Sequence, residues 1–433
     1  MAPSPSPAPS PPAPRRRVGA RVRGVVWRAL GIVTALFAAA IVTTFAVDLG
    51  PSLKGRAEAE ATKYLKRPMH IGRMSARVRP GSFLFEDVVI EGRTPDARPF
   101  LTAKRISVEV PWWTIFGGEL LFEQIRMTGW DLYIESFPDG SHNMPKMMPE
   151  RRSTREKRFV TTLRHVVADQ GQFTYDDHGT PWSVVARDMQ VSVARGGGEY
   201  RGTAQFRNGT IDIQDYVPFR ADMRSRFKFD GPRIVFDDIL LLTDGAESRL
   251  TGGADFANWP EQTYQIESDI QLRRMRALFF ADEPWELSGQ SHFTGVFHMF
   301  KGGRDLSGEF RSAELGVDDY RVQDVAGHVQ WTPDFLHVTD GRGGLYGGTA
   351  SYIYRLEPLR GEGTRMATFN AEYRDVDLAT LTDFYDFDEL RLAGRITGRN
   401  DMTWPSGHFF ERRQATGVIM AAAPPGVTEK SAR

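Results

Sequence analysis

The chain has 433 residues with 55 basic and 55 acidic side chains, nine histidines and no cysteine. A formal charge of zero removes the electrostatic case for nucleic acid, which needs a basic stripe. Without cysteine there is no disulfide, no thiol nucleophile and no lipid-modified cysteine, so an exported region must be held by core burial and sheet hydrogen bonds.

Residues 1–24 are rich in Pro, Ala and Arg and read as a disordered tail. Residues 29–47 (ALGIVTALFAAAIVTTFAV) carry no charge. As a helix rising 1.5 Å per residue they would span roughly 28 Å, close to the ~30 Å hydrocarbon core of a bilayer. A transmembrane helix is therefore predicted over residues 25–47. Arg15, Arg16, Arg17, Arg21 and Arg23 precede the apolar run and Arg28 lies at its edge, which places the tail in the cytoplasm and exports the rest. The alternative is a cleaved signal peptide cut after Ala46, although the apolar region of such a peptide is normally about 7–15 residues.

Residues 48–69 predict a short connecting helix with Leu53, Ala57, Ala61 and Tyr64 as a thin stripe, stopped by Pro68. From there the period changes to two. Phe83 and Phe85 alternate, then Val88 and Ile90 after a shift that predicts a bulge. Ile106, Val108 and Val110 alternate next, then Ile125 and Met127, and Leu132 and Ile134 after Gly129. Similar short runs, bounded by Gly, Asp, Asn or Pro, continue through Phe173, Val191, Ile211, Phe227, Phe293, Val329, Tyr352 and Phe369, which is how half-buried antiparallel strands read. Residues 271–280 and 377–387 predict one or two helical turns each, and the basic segment 150–159 a solvated loop.

A loose recurrence, an aromatic-alternating strand, a turn and then a strand entered through glycine, appears in YRGTAQF, RLTGGADF, LSGQSHF, VAGHVQW, LYGGTASY and LAGRITG. Its spacing is irregular, so it is no solenoid repeat. About sixteen to twenty strands at ~4.8 Å would extend ~75–95 Å. A sheet of that size must twist, curl or split, and its apolar face must close on something. A self-filled sandwich, a barrel and a curled gutter holding acyl chains all satisfy the periodicity.

Enzyme chemistry finds little support. Asp176, Asp177 and His178 sit together before a Gly-Thr-Pro turn, but acidic turns are commonplace. The sequence holds no HExxH, GxSxG or P-loop. Gly341, Gly343, Gly344, Gly347 and Gly348 lack phosphate-loop spacing and predict a hairpin turn. No catalytic residue, metal or cofactor is expected.

Residues 64–92 (YLKRPMHIGRMSARVRPGSFLFEDVVIEG), following one N-terminal span, resemble the opening of the AsmA family of inner-membrane-anchored periplasmic proteins, relatives of TamB and of bridge-like lipid-transfer proteins. Residues 98–135 follow in that family's order, with a hinge at Phe116-Gly117-Gly118, and GSHNMP (140–145) is similar to its polar turn with Asn143. Residues 331–358 resemble its strand–GG–strand element, and the segment from Leu378 to Trp404 the helix and sheet re-entry after it. The resemblance implies a mainly β fold: an N-terminal transmembrane helix, then an elongated, twisted antiparallel sheet curled into a groove over residues 70–410, with a few short helices and a loose tail at 411–433. It also implies phospholipid transport between the inner and outer membranes. The partners would be phospholipids, the inner membrane through residues 25–47, and outer-membrane or other envelope proteins. The lipid-groove candidates are Phe83, Phe85, Ile106, Val108, Val110, Ile125, Met127, Leu132 and Ile134; the plain alternative is that they are ordinary core. A scaffold for outer-membrane proteins, offering sheet edges to incoming strands, is the rival reading.

Overall fold

The computed structural model describes residues 51–77, 81–111, 113–114, 119–145, 160–380 and 393–422. The expected transmembrane segment, the basic segment 150–159, the hinge at 116–118 and most of the expected helix at 377–387 lie outside them. Among the described residues no helix is long and apolar enough to cross a membrane.

Helix α1 (Pro51–Leu65) leads into nineteen strands: β1 (Met69–Arg77), β2 (Ser82–Ile90), β3 (Leu101–Glu109), β4 (Glu119–Ser136), β5 (Val160–Asp177), β6 (Trp182–Gly196), β7 (Glu199–Ile213), β8 (Phe219–Asp230), β9 (Arg233–Thr243), β10 (Ala246–Asp255) and β11 (Gln262–Gln271). After helix α2 (Leu272–Phe279) come β12 (Leu287–Phe300), β13 (Gly303–Val317), β14 (Tyr320–Trp331), β15 (Leu336–Leu345), β16 (Gly348–Glu357), β17 (Met366–Asp377) and β18 (Arg395–Pro405). A single turn, α3 (Phe409–Arg412), precedes β19 (Gln414–Ala422). Each strand pairs with its neighbour in sequence, so the chain builds one continuous sheet by addition.

Three local expectations need correction. The β4–β5 pair is parallel, with Glu119 opposite Val160 and Ser136 opposite Asp177, so the sheet is not wholly antiparallel. Residues 414–422, expected as loose tail, form an edge strand on β18, because Val418, Ile419 and Met420 are β-formers with a ladder available. Gly341, Gly343 and Gly344 are not in the hairpin turn; they lie within β15 and the turn falls at Tyr346-Gly347.

Bulges recur along the strands, and acidic or amide residues mark them. Asp87, Gln170, Asp188, Asn208, Asp324, Asp340 and Asp375 all have positive φ near 50°, as does Gly129 at 64°. Asn and Asp tolerate this region better than other L-residues. Register jumps at most of these positions, for example between Phe206 and Gly209 in β7 and between Val338 and Gly341 in β15. Each bulge bends its strand and strengthens the right-handed twist, so a bulge in strand after strand coils the whole sheet.

The coiling brings the two rims of the sheet together. Trp259 in the β10–β11 turn donates its indole N–H to Ser136 Oγ at the end of β4 (3.1 Å), 123 residues away. Gln214 in the β7–β8 turn donates to the Pro333 carbonyl in the β14–β15 turn (3.2 Å), 119 residues away. Glu283, after α2, accepts from Trp404 Nε1 at the end of β18 (3.2 Å), 121 residues away. Three rim contacts at nearly the same separation mean that the sheet winds back on itself about once every 120 residues, or roughly every six to seven strands.

Candidate functional site: the apolar inner face

The inner face divides into two parts. Over β1–β5 it is a filled core. Phe85 and Ile106 are 0 % exposed and Ile125 1 %. Phe83, Val108, Val110 and Ile134 are also buried, and Met127 and Leu132 pack partly buried against the same cluster. Helix α1 closes this block: Ala57, Ala61 and Leu65 are fully buried in it. The nine sequence-derived candidates thus come together, and they touch the protein itself. The helix also covers the free edge of the sheet, since Ile71 N donates to Glu58 Oε1 (2.7 Å) and Met69 N to Thr62 Oγ1 (3.1 Å). Edge amides satisfied in this way cannot recruit another strand.

Beyond β9 the inner face is closed only in part: Phe293 is buried, as are Leu356, Ala367, Tyr373 and Trp404 in small clusters, and the rows between them are less covered. Register places Leu250, Ile266, Gly295, Gly308, Val329, Val338, Tyr354, Phe369, Met402 and Ala415 side by side, one from each strand from β10 to β19. Of these only Gly308 is buried; Ala415 is exposed and the others are partly exposed. A second row, Tyr264, Phe297, Leu306, Trp331, Leu336 and Leu356, runs beside it from β11 to β16. Single-sequence periodicity identified several of these positions as inward-facing. It could not distinguish them from the closed block, because alternation is the same in both.

Glycines keep aromatic rings against the wall of this face. The Phe310 ring lies over Gly327, where a Cβ would come within 2.8 Å of it. Tyr352 covers Gly341 in the same way, Tyr373 covers Gly398 and Phe227 covers Gly202, and these four pairs are direct cross-strand partners. Phe293 lies over both Gly295 and Gly308. Of the recurrence read from the sequence, Gly202 of YRGTAQF and Gly327 of VAGHVQW take part in this pairing, whereas the glycines of RLTGGADF and Gly289 of LSGQSHF lie against backbone. A ring laid flat on a glycine backbone lines the wall instead of projecting across the interior.

Polar groups concentrate at the rims. Glu283 is buried and accepts from Trp404 Nε1, Ser406 Oγ and the Gly407 amide, so its charge is met by three donors. Asp177, buried in the expected acidic turn, accepts from the amides of Gly179 and Thr180 and from Thr180 Oγ1, which makes it a turn-former. Asn143 bridges the Tyr133 carbonyl and the Glu135 amide. On the outer face, pairs such as Arg98–Asp131 and Arg164–Glu123 are exposed and contribute little individually. No group of three or more metal-ligating side chains occurs among the described residues.

No known family model matches this chain, and no characterised protein matches it in sequence.

Proposed function

We propose that this protein is an AsmA-like, inner-membrane-anchored periplasmic protein whose sheet forms a hydrophobic groove carrying phospholipid acyl chains between membranes. The observation that carries the reading is that the inner face is sealed by α1 over β1–β5, whereas from β10 to β19 most of one apolar row is left partly exposed between smaller buried clusters. A turn of about six to seven strands at ~4.8 Å spacing, each about 11 residues long at ~3.3 Å per residue, gives a perimeter near ~48 Å and a width of ~15 Å. Interdigitated sheet faces need only ~10 Å, so a coil of that width would accommodate an acyl chain beside its inward rings.

Moving a lipid through water exposes about 0.8 kcal/mol per CH₂, and a continuous apolar floor lowers that barrier without a tight site anywhere. The β1–β5 block then acts as an end plug next to the anchor, and the residues that touch lipid lie downstream of the first candidates. A photo-crosslinking residue at Val338 or Phe369 should attach to phospholipid in cells, while one at Ile106 should not. Absence of lipid adducts at all three positions would refute transport.

One observation favours the scaffold reading. Val418, Ile419 and Met420 on β19 are 61 %, 61 % and 65 % exposed, and among the described residues β19 pairs only with β18. Adducts from residue 419 to β-barrel precursors, with none to lipid from the inner face, would favour it.

A further inference from the structure

Arg304 places a charged side chain on the inner face, whose other buried polar residues include the hydrogen-bonded pair Ser248 and Ser268. It stands on β13 one inward position before Leu306, its guanidinium carbon 4.6 Å from the centre of the Trp331 ring, and the residue is 5 % exposed. Yet Nε and Nη2 have no hydrogen-bond acceptor in the protein. These two nitrogens form one edge of the guanidinium, the edge that grips a carboxylate or phosphate with two parallel bonds.

The neighbouring carboxylates are committed elsewhere. Asp177, whose field reaches Arg304, is held by its own turn. Asp305 faces the other side and lies within reach of Gln330, and Asp215 pairs with Arg365. Tyr216, the other group whose field reaches Arg304, is a phenol packed edge-on against Trp331 and Phe279. Burial without a counter-charge also pulls the guanidinium pKa down to about 10. A buried cation left without a partner destabilises a fold, and an anionic ligand on the free edge would supply the missing charge.

We infer that Arg304 is a headgroup site: its Nε–Nη2 edge binds the phosphodiester of a phospholipid whose acyl chains lie on the Leu306–Phe297 side of the inner face. This rests on the groove reading above and adds a station to it. The site sits at the rim contact formed by the β7–β8 and β14–β15 turns, where the polar end of an amphiphile can reach the seam while its chains remain inside.

The test uses the full chain purified in a maltoside detergent. It is incubated with dioleoylphosphatidylglycerol, with dioleoylglycerol (the same chains without phosphate) or with oleate, and bound lipid is quantified by mass spectrometry after gel filtration. Wild type should retain the phospholipid over dioleoylglycerol by about tenfold, the effect of one charge-assisted bidentate contact. Arg304→Met should abolish the preference and keep dioleoylglycerol binding. Arg304→Lys, with the charge but not the fork, should fall between. Because Met can lie on Trp331 and removes an unpartnered charge, the variant should melt no lower than wild type, which separates lost binding from lost folding. Undiminished phospholipid retention by Arg304→Met overturns the headgroup site and leaves the groove standing. Failure of wild type to bind either glycerolipid overturns both. Arg304-dependent retention of oleate above phospholipid overturns the phosphodiester assignment.

Discussion

Trp404 and Glu283 lie 121 residues apart and are joined by a hydrogen bond from the indole N–H to the carboxylate, one of three rim contacts set one sheet turn apart. The carboxylate oxygens of Glu283 face Trp404, Ser406 and the Gly407 amide, and the residue is 2 % exposed. The contact fixes how the last strands sit over α2.

Removing this acceptor should therefore be costly. Glu283→Ala leaves one buried and two part-buried donors unmet and is expected to lower stability by about 2–3 kcal/mol, whereas Glu283→Gln keeps one acceptor oxygen and should lose about 1 kcal/mol. Urea unfolding followed by circular dichroism measures both. Equal losses would mean that the carboxylate contributes packing alone.

The ring-on-glycine pairs predict a change of sign in a double-mutant cycle. Gly327→Ala forces the Phe310 ring off its seat and should destabilise by about 1–2 kcal/mol. In a Phe310→Ala background the same substitution meets little and removes glycine's backbone freedom, so it should be neutral or stabilising by about 0.5 kcal/mol. A cost that persists without the ring would place the clash in the Thr339 backbone instead.

Inward tyrosines make the fold sensitive to base. Burial raises the Tyr352 pKa from about 10 to about 12 and also raises those of Tyr216, Tyr264 and Tyr354. The folded state thus holds the phenolic proton more tightly than the unfolded chain. The stabilisation is complete below pH 10 and is lost as pH climbs from about 10 to about 12. Melting temperature should drop across that window, and less steeply in Tyr352→Phe. Parallel slopes for the two proteins would show that Tyr352 does not contribute.

Helix α1 should detach on its own. Ala61 is 0 % accessible against the β1–β5 core, so Ala61→Asp buries a carboxylate among apolar side chains there. Amide exchange should lose protection in α1 and β1 and keep it in β12–β17, whose apolar clusters are separate from that core. Uniform loss of protection would mean that the sheet unfolds as a single unit.

Much of this molecule was legible in one dimension. Alternation marked the strands, the jump from Phe85 to Val88 marked a bulge that the structure places at Asp87, and 271–280 marked α2. The bulges at Asp188, Asn208, Asp324, Asp340 and Asp375 fall on acidic or amide residues inside strands, where a β-former would be the ordinary choice; among the Gly, Asp, Asn and Pro that bound the short apolar runs, nothing in the sequence separates them from true strand ends. Local backbone preference determined these features, since each depends on a few adjacent residues. What alternation could not determine is which inward residues are sealed. Ile106 and Val338 have the same pattern around them, yet one is fully buried under α1 and the other lines a partly exposed face. That difference depends on what lies across the interior, which for Ile106 is a helix about 45 residues upstream, and only the tertiary structure brings such distant segments together.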